Sequence, residues 1–183
     1  GLTDAVRYLN LHRWLTGLNP VGLDDSPEML AGQQECALLQ LAMGGLSHRP
    51  PPSAPCYTER GARHAASNLS YAFGSTAADS VDQFMQDRGD NNGAVGHRRH
   101  FFNDTLDTVG VGAATDGRRT TSCIWVFDTD GEPSGRPFAA YPNPGFAPIA
   151  LVGRRCADGW CGDPTVRWSL QNAGLRTEDL SVE

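Results

Sequence analysis

The side chains best able to do chemistry in this chain are five histidines, His12, His48, His64, His97 and His100, and five cysteines, Cys36, Cys56, Cys123, Cys156 and Cys161. Neutral imidazoles ligate divalent metals and move protons near neutral pH. Thiols ligate metals, exchange electrons or pair as disulfides. His48 and His97 stand 49 positions apart, so spacing alone defines no metal motif and only a fold can bring them together. His100 follows His97 by three residues and can share its helix face, but it reads as a surface histidine. His12 and His64 belong to no constellation. No Gly-x-Ser-x-Gly elbow, phosphate-binding loop or dinucleotide fingerprint occurs. Asp128-Thr129-Asp130-Gly131-Glu132 has the opening of a calcium loop without its remaining ligands, and reads as a tight turn after a strand.

No two cysteines are spaced Cys-x-x-Cys, the nearest pair being Cys156 and Cys161. A zinc ribbon and a dithiol redox motif are therefore both excluded, and disulfides become the leading expectation. Cys36 and Cys56 are predicted to close a loop of about 20 residues, contributing roughly 3 kcal/mol. Cys156 and Cys161 are predicted to close a short surface loop, leaving Cys123 as a buried thiol in an apolar strand. Five reduced cysteines in a cytosolic protein are the alternative.

The 183 residues, 39% hydrophobic and 20% charged, suffice for one domain with a real core. Glycine (21) and proline (12) are frequent, so much of the chain should be turn and extended loop. A formal charge of -6 disfavours nucleic acid and anionic membranes as partners. No apolar run is long enough to span a bilayer. Any leader ahead of Gly1 is expected to have been removed or never present, and the ending Thr177–Glu183 suggests a parent protein that continues.

Thr3 is predicted to cap a first helix to Leu15, with Tyr8, Leu11, Leu15 and Leu18 at helical spacing. Ser26-Pro27-Glu28 is a strong start for a second, with Leu30, Gln34, Ala37, Leu38 and Leu41 on one face and Gly44-Gly45 as its stop. Four prolines make residues 49–58 an extended loop. A third helix is predicted from Thr76 to Asp87 with Ala77, Val81, Phe84 and Met85 buried, then a short fourth carrying Val95, Phe101 and Phe102. Val109, Val111 and Ala113 alternate as in a strand, Asp116-Gly117 is a turn, and Cys123 to Phe127 reads as a central strand covered on both faces. Gly145 to Val152 and Thr165 to Leu170 are weaker strand candidates. Arg98 is expected to form an inward salt bridge and Arg99 to be solvated. Helices first (1–103) and strands later (104–183) give a single α+β domain over 1–183.

Several segments together resemble the CAP superfamily, the cysteine-rich secretory, antigen and pathogenesis-related proteins. Val6 to Arg13 is similar to the family's opening helix with its Asn and Arg, and Gly17-Leu18-Asn19-Pro20-Val21 to the turn that follows. Gln33 to Met43 corresponds to the second helix, leading to Leu46-Ser47-His48. Ser67-Asn68-Leu69 stands where the family has Glu-Asn-Leu. Gly96-His97-Arg98-Arg99, Phe101-Phe102-Asn103 and Val109-Gly110-Val111-Gly112 resemble the Gly-His-Arg block of bacterial members. Ala140 to Phe146 and Arg167-Trp168-Ser169 look like later segments of the larger ones.

The resemblance implies a three-layer α-β-α sandwich around a central antiparallel sheet, in a secreted or envelope-associated protein. It also implies a cleft with two histidines, here His48 and His97, and two acids. One acid maps to Asp87, three residues beyond Phe84; the other is replaced by Ser67, beside Asn68. His48, His97 and Asp87 form a candidate zinc site, with water in the open position. The implied function is a non-catalytic binding module for an extracellular lipid, peptide or protein. A zinc-dependent hydrolase using the same cleft and a structural or adhesive envelope domain are the alternatives. Tyr141, Pro142, Pro144 and Phe146 are a candidate apolar groove, with packing of that loop on its own domain as the plain alternative.

Overall fold

A computed structural model describes residues 1–87, 93–143, 145, 154–156, 159–161 and 168–171. Its centre is a four-stranded sheet in the order β1-β3-β4-β2. The strands are β1 (Gly22–Leu23), β2 (Asn68–Phe73), β3 (Thr108–Thr115) and β4 (Arg119–Asp128). The pairs β3–β4 and β4–β2 are antiparallel, and only the two-residue edge strand β1 runs parallel to β3. The β3–β4 turn forms where predicted: the Asp116 carboxylate accepts the backbone N–H of Arg118 and Arg119, and Gly117 takes φ 87. Near the other end the register jumps between Thr108 and Gly110, a bulge that re-aims the last residues of β4.

Alternation along β3 and β4 assigns the two faces. Val109, Val111, Ile124 and Val126 join the main core with α1 (Leu2–Thr16), α4 (Ala77–Gln86) and α5 (Gly96–Phe101). On the opposite face Cys123 packs with Cys36, Ala37, Ala65 and Leu69, which places α2 (Pro27–Met43) and α3 (Glu59–His64) there. The result is the expected α+β, three-layer arrangement. Helix α2 lies very close to the sheet because β3 presents glycine: a Cβ on Gly112 would fall 2.2 Å from the backbone carbon of Gln33.

Helix α2 keeps its predicted limits, with Ser26 accepting the Met29 N–H, Pro27 in the first turn and Gly44 in the left-handed cap. Its buried face is corrected. Gly32, Gln33, Cys36, Ala37, Leu39 and Gln40 are buried, whereas Leu38 and Gln34 are exposed. A helix pressed onto glycines favours small or hydrogen-bonded residues over leucine stripes. In α1 the buried residues are likewise Ala5, Val6, Leu9, His12 and Arg13, and Leu11 is exposed. Thr3 is not its cap. The helix starts two residues earlier, with Gly1 as N-cap and the Asp4 carboxylate on the amino terminus.

The Asn and Arg of this first helix have structural duties. Asn10 pairs with both backbone groups of Val21. Arg13, fully buried, donates to the carbonyls of Asn19, Phe101 and Asn103. Helix α4 matches its predicted span and buried face, and Thr76 turns out to be its N-cap.

The expected Cys36–Cys56 bridge is overturned: Cys36 is bonded to Cys123, and Cys56 is an exposed free thiol. Cys36 sits on the face of α2 that meets β4, so its partner is the residue across the layer and not the one nearest in sequence. Two ribbons lie outside the main sheet: β5 (Ala139–Tyr141) with β8 (Ser169–Gln171), and β6 (Arg154–Cys156) with β7 (Gly159–Cys161). The side chains of β6 and β7, and with them the expected Cys156–Cys161 bridge, lie outside the described residues. So do Pro144, Phe146, 146–153 and 165–167, where two strands and part of a groove were predicted.

Candidate functional site

Helix α4 ends at Asp87, which adopts the left-handed conformation (φ 47, ψ 52) and donates its N–H to the Gln83 carbonyl. A short polar residue tolerates this geometry. Asp87 is fully buried and its carboxylate serves the start of α5: Oδ2 accepts the backbone N–H of His97 (3.0 Å) and of Arg98 (3.4 Å). Oδ1 lies 2.7 Å from His97 Nδ1. The residue that opens α5, Val95, supplies no side-chain cap, so Asp87 satisfies these orphan donors from the end of another helix.

The His97 ring is held from below as well. It stacks on buried Phe84 (5.0 Å between centroids, 30° between planes), while the Asn68 amide donates to the His97 carbonyl. About a fifth of the side chain stays accessible (21%). A carboxylate only accepts, so Nδ1 carries the proton. In the neutral ring Nε2 is then bare.

His48 follows the same rule. The buried Gln40 amide grips both backbone groups of Ser47, and the exposed His48 ring beside it places Nδ1 2.7 Å from the Ala65 carbonyl. A carbonyl also only accepts, so here too the proton sits on Nδ1 and Nε2 is bare. The segment Ala65–Asn68 thus ties both histidines to the edge of the sheet: Ala65 holds His48, and Asn68 holds His97.

Ser67 does not offer its hydroxyl to an acid-base site. It is buried and donates to Gln33 Oε1 (3.0 Å). The Gln33 amide nitrogen is 2.8 Å from His64 Nδ1, which makes that nitrogen an acceptor and puts the His64 proton on Nε2. His64 is therefore the opposite tautomer from His48 and His97. Its ring fills the space above Gly32, where a Cβ would lie 2.3 Å away, and it packs on Trp125. Burial lowers its pKa. His100 packs edge-on against Phe127, and burial lowers its pKa too.

The buried Arg98 braces the site from the core. Its donors reach the carbonyls of Met85 (2.6 Å) and Gln86 (3.4 Å), the two residues ahead of Asp87, and Ser169 Oγ (3.0 Å) on β8. Its guanidinium lies 4.1 Å from the centre of the Tyr141 ring. Arg99 is exposed, as expected. Tyr141 is buried in the main core, so it packs on its own domain and does not line an open groove.

Among the described residues no group of three or more His, Cys, Asp or Glu stands ready to hold a metal. The donor chemistry narrows what is left. Both Asp87 oxygens are already engaged by His97 and Arg98, so the carboxylate orients the His97 imidazole. In each neutral ring, His48 and His97, Nδ1 is tied to a protein acceptor, so Nε2 is the nitrogen a ligand would meet. Gln33, Gln40 and Arg98 were not singled out as site residues. A polar residue on the buried face of a helix would have been the signal for the two glutamines.

A disulfide-braced α+β domain with a carboxylate-held histidine at the mouth of its sheet is the class of protein defined so far. The model of the cysteine-rich secretory protein (CAP) family matches residues 6–129, about two thirds of the chain. The chain belongs to that family. No curated protein matches it.

Proposed function

We propose that this chain is a secreted, non-catalytic binding module of the bacterial form of its family. Its cleft at His48 and His97 takes a divalent metal ion, zinc by ligand chemistry, together with an extracellular lipid or peptide. The observation that carries the metal reading is the shared tautomer: each ring commits its Nδ1 proton to a fixed acceptor, Asp87 or Ala65, and keeps Nε2 for a ligand. Outer-shell acceptors of this kind are what fix ligating histidines in metal sites. Extracellular placement is supported by the Cys36–Cys123 bridge, since such bonds persist in oxidising compartments. No described helix is long and apolar enough to cross a membrane.

A hydrolase using the same cleft is the second reading. A specific observation favours it, because an imidazole oriented by a buried carboxylate is also how a general base is held. Zinc calorimetry on the wild type and on His48→Ala/His97→Ala, with ester and peptide turnover measured alongside, separates the two. Zinc heat without turnover supports the binding module. Metal-dependent turnover lost in the double variant supports the hydrolase, and absence of zinc heat in the wild type removes the metal from both.

A further inference from the structure

His12 has no part in the cleft, yet its position is unusual. It lies on the inward face of α1, 3% exposed, with its ring edge-on to Tyr8 (5.2 Å) and tilted against Tyr141 of β5 (6.3 Å). Its buried Nε2 has no hydrogen-bond partner among the described residues. The titratable groups around it are few. Tyr8, on the same helix, donates to Asp82 of α4. Tyr141 comes from the ribbon, and Arg98 of α5 lies against the Tyr141 ring. The strand β3 brings apolar residues to this core, Val109, Val111 and the partly buried Ala113.

We propose that His12 makes the seam between α1 and the β5–β8 ribbon an acid-sensitive latch, closed while the imidazole is neutral and opened when it takes a proton. A charged ring here carries an N–H at Nε2 with no acceptor among the described residues and feels the Arg98 guanidinium. Burial, with Arg98 adding to it, pushes His12 down to about 4, against an ordinary 6.5 in water. The closed form thus binds its proton more weakly than the open form, so acid favours opening as pH falls from about 6.5 to about 4. Linkage gives about a 20-fold rise in ribbon opening between pH 7 and pH 5. The ribbon yields before the rest because it is two strands of three residues, whereas the opposite layer is covalently tied by Cys36–Cys123.

Amide exchange of residues 139–141 and 169–171 tests this, after correction for intrinsic pH dependence, in the wild type and in His12→Phe. Opening of the ribbon should rise about 20-fold from pH 7 to pH 5 while α2 and β4 keep their protection, and the variant should show no such rise. An unchanged ribbon in the wild type, or the same rise in the variant, overturns the proposal. Should His12→Phe fail to fold, NMR titration of His12 in the wild type decides. A ring titrating well below 6.5 in step with the ribbon resonances supports the latch, and one titrating near 6.5 while the ribbon is silent overturns it. Neither readout depends on the metal reading of the cleft.

Discussion

The Asp87 carboxylate meets His97 twice, at the backbone N–H and at ring Nδ1. It thereby sets both the position of the residue and the nitrogen that faces outward. Because Asp87 sits in the left-handed region, where Asn is also tolerated, Asp87→Asn isolates the charge from the backbone geometry. The amide can still accept one N–H, but it no longer enforces the His97 tautomer. Zinc affinity is expected to drop about 10–100-fold, and stability to fall by about 1–3 kcal/mol, read by calorimetry and urea unfolding respectively.

The disulfide makes a second prediction. Cys36 and Cys123 are separated by 87 positions, and closing a loop of that size removes unfolded-state entropy equivalent to roughly 4–5 kcal/mol. Cys36→Ser/Cys123→Ser should lose most of this in denaturant unfolding. Cys56→Ser should leave the midpoint unchanged, and thiol titration of the native wild type should find Cys56 reactive.

Close approach of α2 to the sheet is testable at single glycines. Gly112→Ala drives a Cβ to 2.2 Å from the Gln33 backbone, so the helix must move, at a cost of about 3 kcal/mol or more. Gly45→Ala, where a Cβ meets nothing within 4 Å, should stay within about 0.5 kcal/mol of wild type. Thermal unfolding of the pair checks this.

Alkaline stability follows from two tyrosines. Burial raises Tyr141 from 10.0 to about 12, and burial with the nearby Asp82 raises Tyr8 further. The unfolded chain releases these protons first, so stability is full below pH 10 and declines as pH rises towards 12. Tyr141 alone accounts for about 3 kcal/mol. Tyr141→Phe keeps a ring under Arg98 and should flatten, without abolishing, the decline in unfolding free energy between pH 10 and 12.

What the sequence revealed was local. Ala77, Val81, Phe84 and Met85 define α4 because their spacing puts them on one helical face. Ser26-Pro27 and Gly44 delimit α2 as its start and stop signals. The buried face of α2 was hidden because Gln33 and Gln40 are satisfied by partners outside the helix, His64, Ser67 and Ser47. Helix α3 escaped notice because it has six residues, Glu59–His64, and no apolar stripe. The disulfide was misassigned because proximity along the chain was used where proximity across a layer decides.

The site divides in the same way. His48, His97 and Asp87 were found through resemblance, yet nothing in their types or spacing tells that Asp87 is buried beneath His97 and not poised as a third ligand. That follows from the left-handed turn at the end of α4 and the donors that converge on it. The tautomers of His48, His64 and His97 are tertiary facts too, since each depends on one acceptor or donor from elsewhere in the fold.

Nitrogen NMR of the His48 and His97 rings, at a pH where imidazole is neutral and with zinc added stepwise, bears most directly on the cleft. Both rings should show a protonated Nδ1 and a bare Nε2 before zinc, and both Nε2 resonances should move on titration. A protonated Nε2 in either ring, or zinc that leaves both resonances where they were, would contradict the assignment of a shared metal ligand to these two histidines.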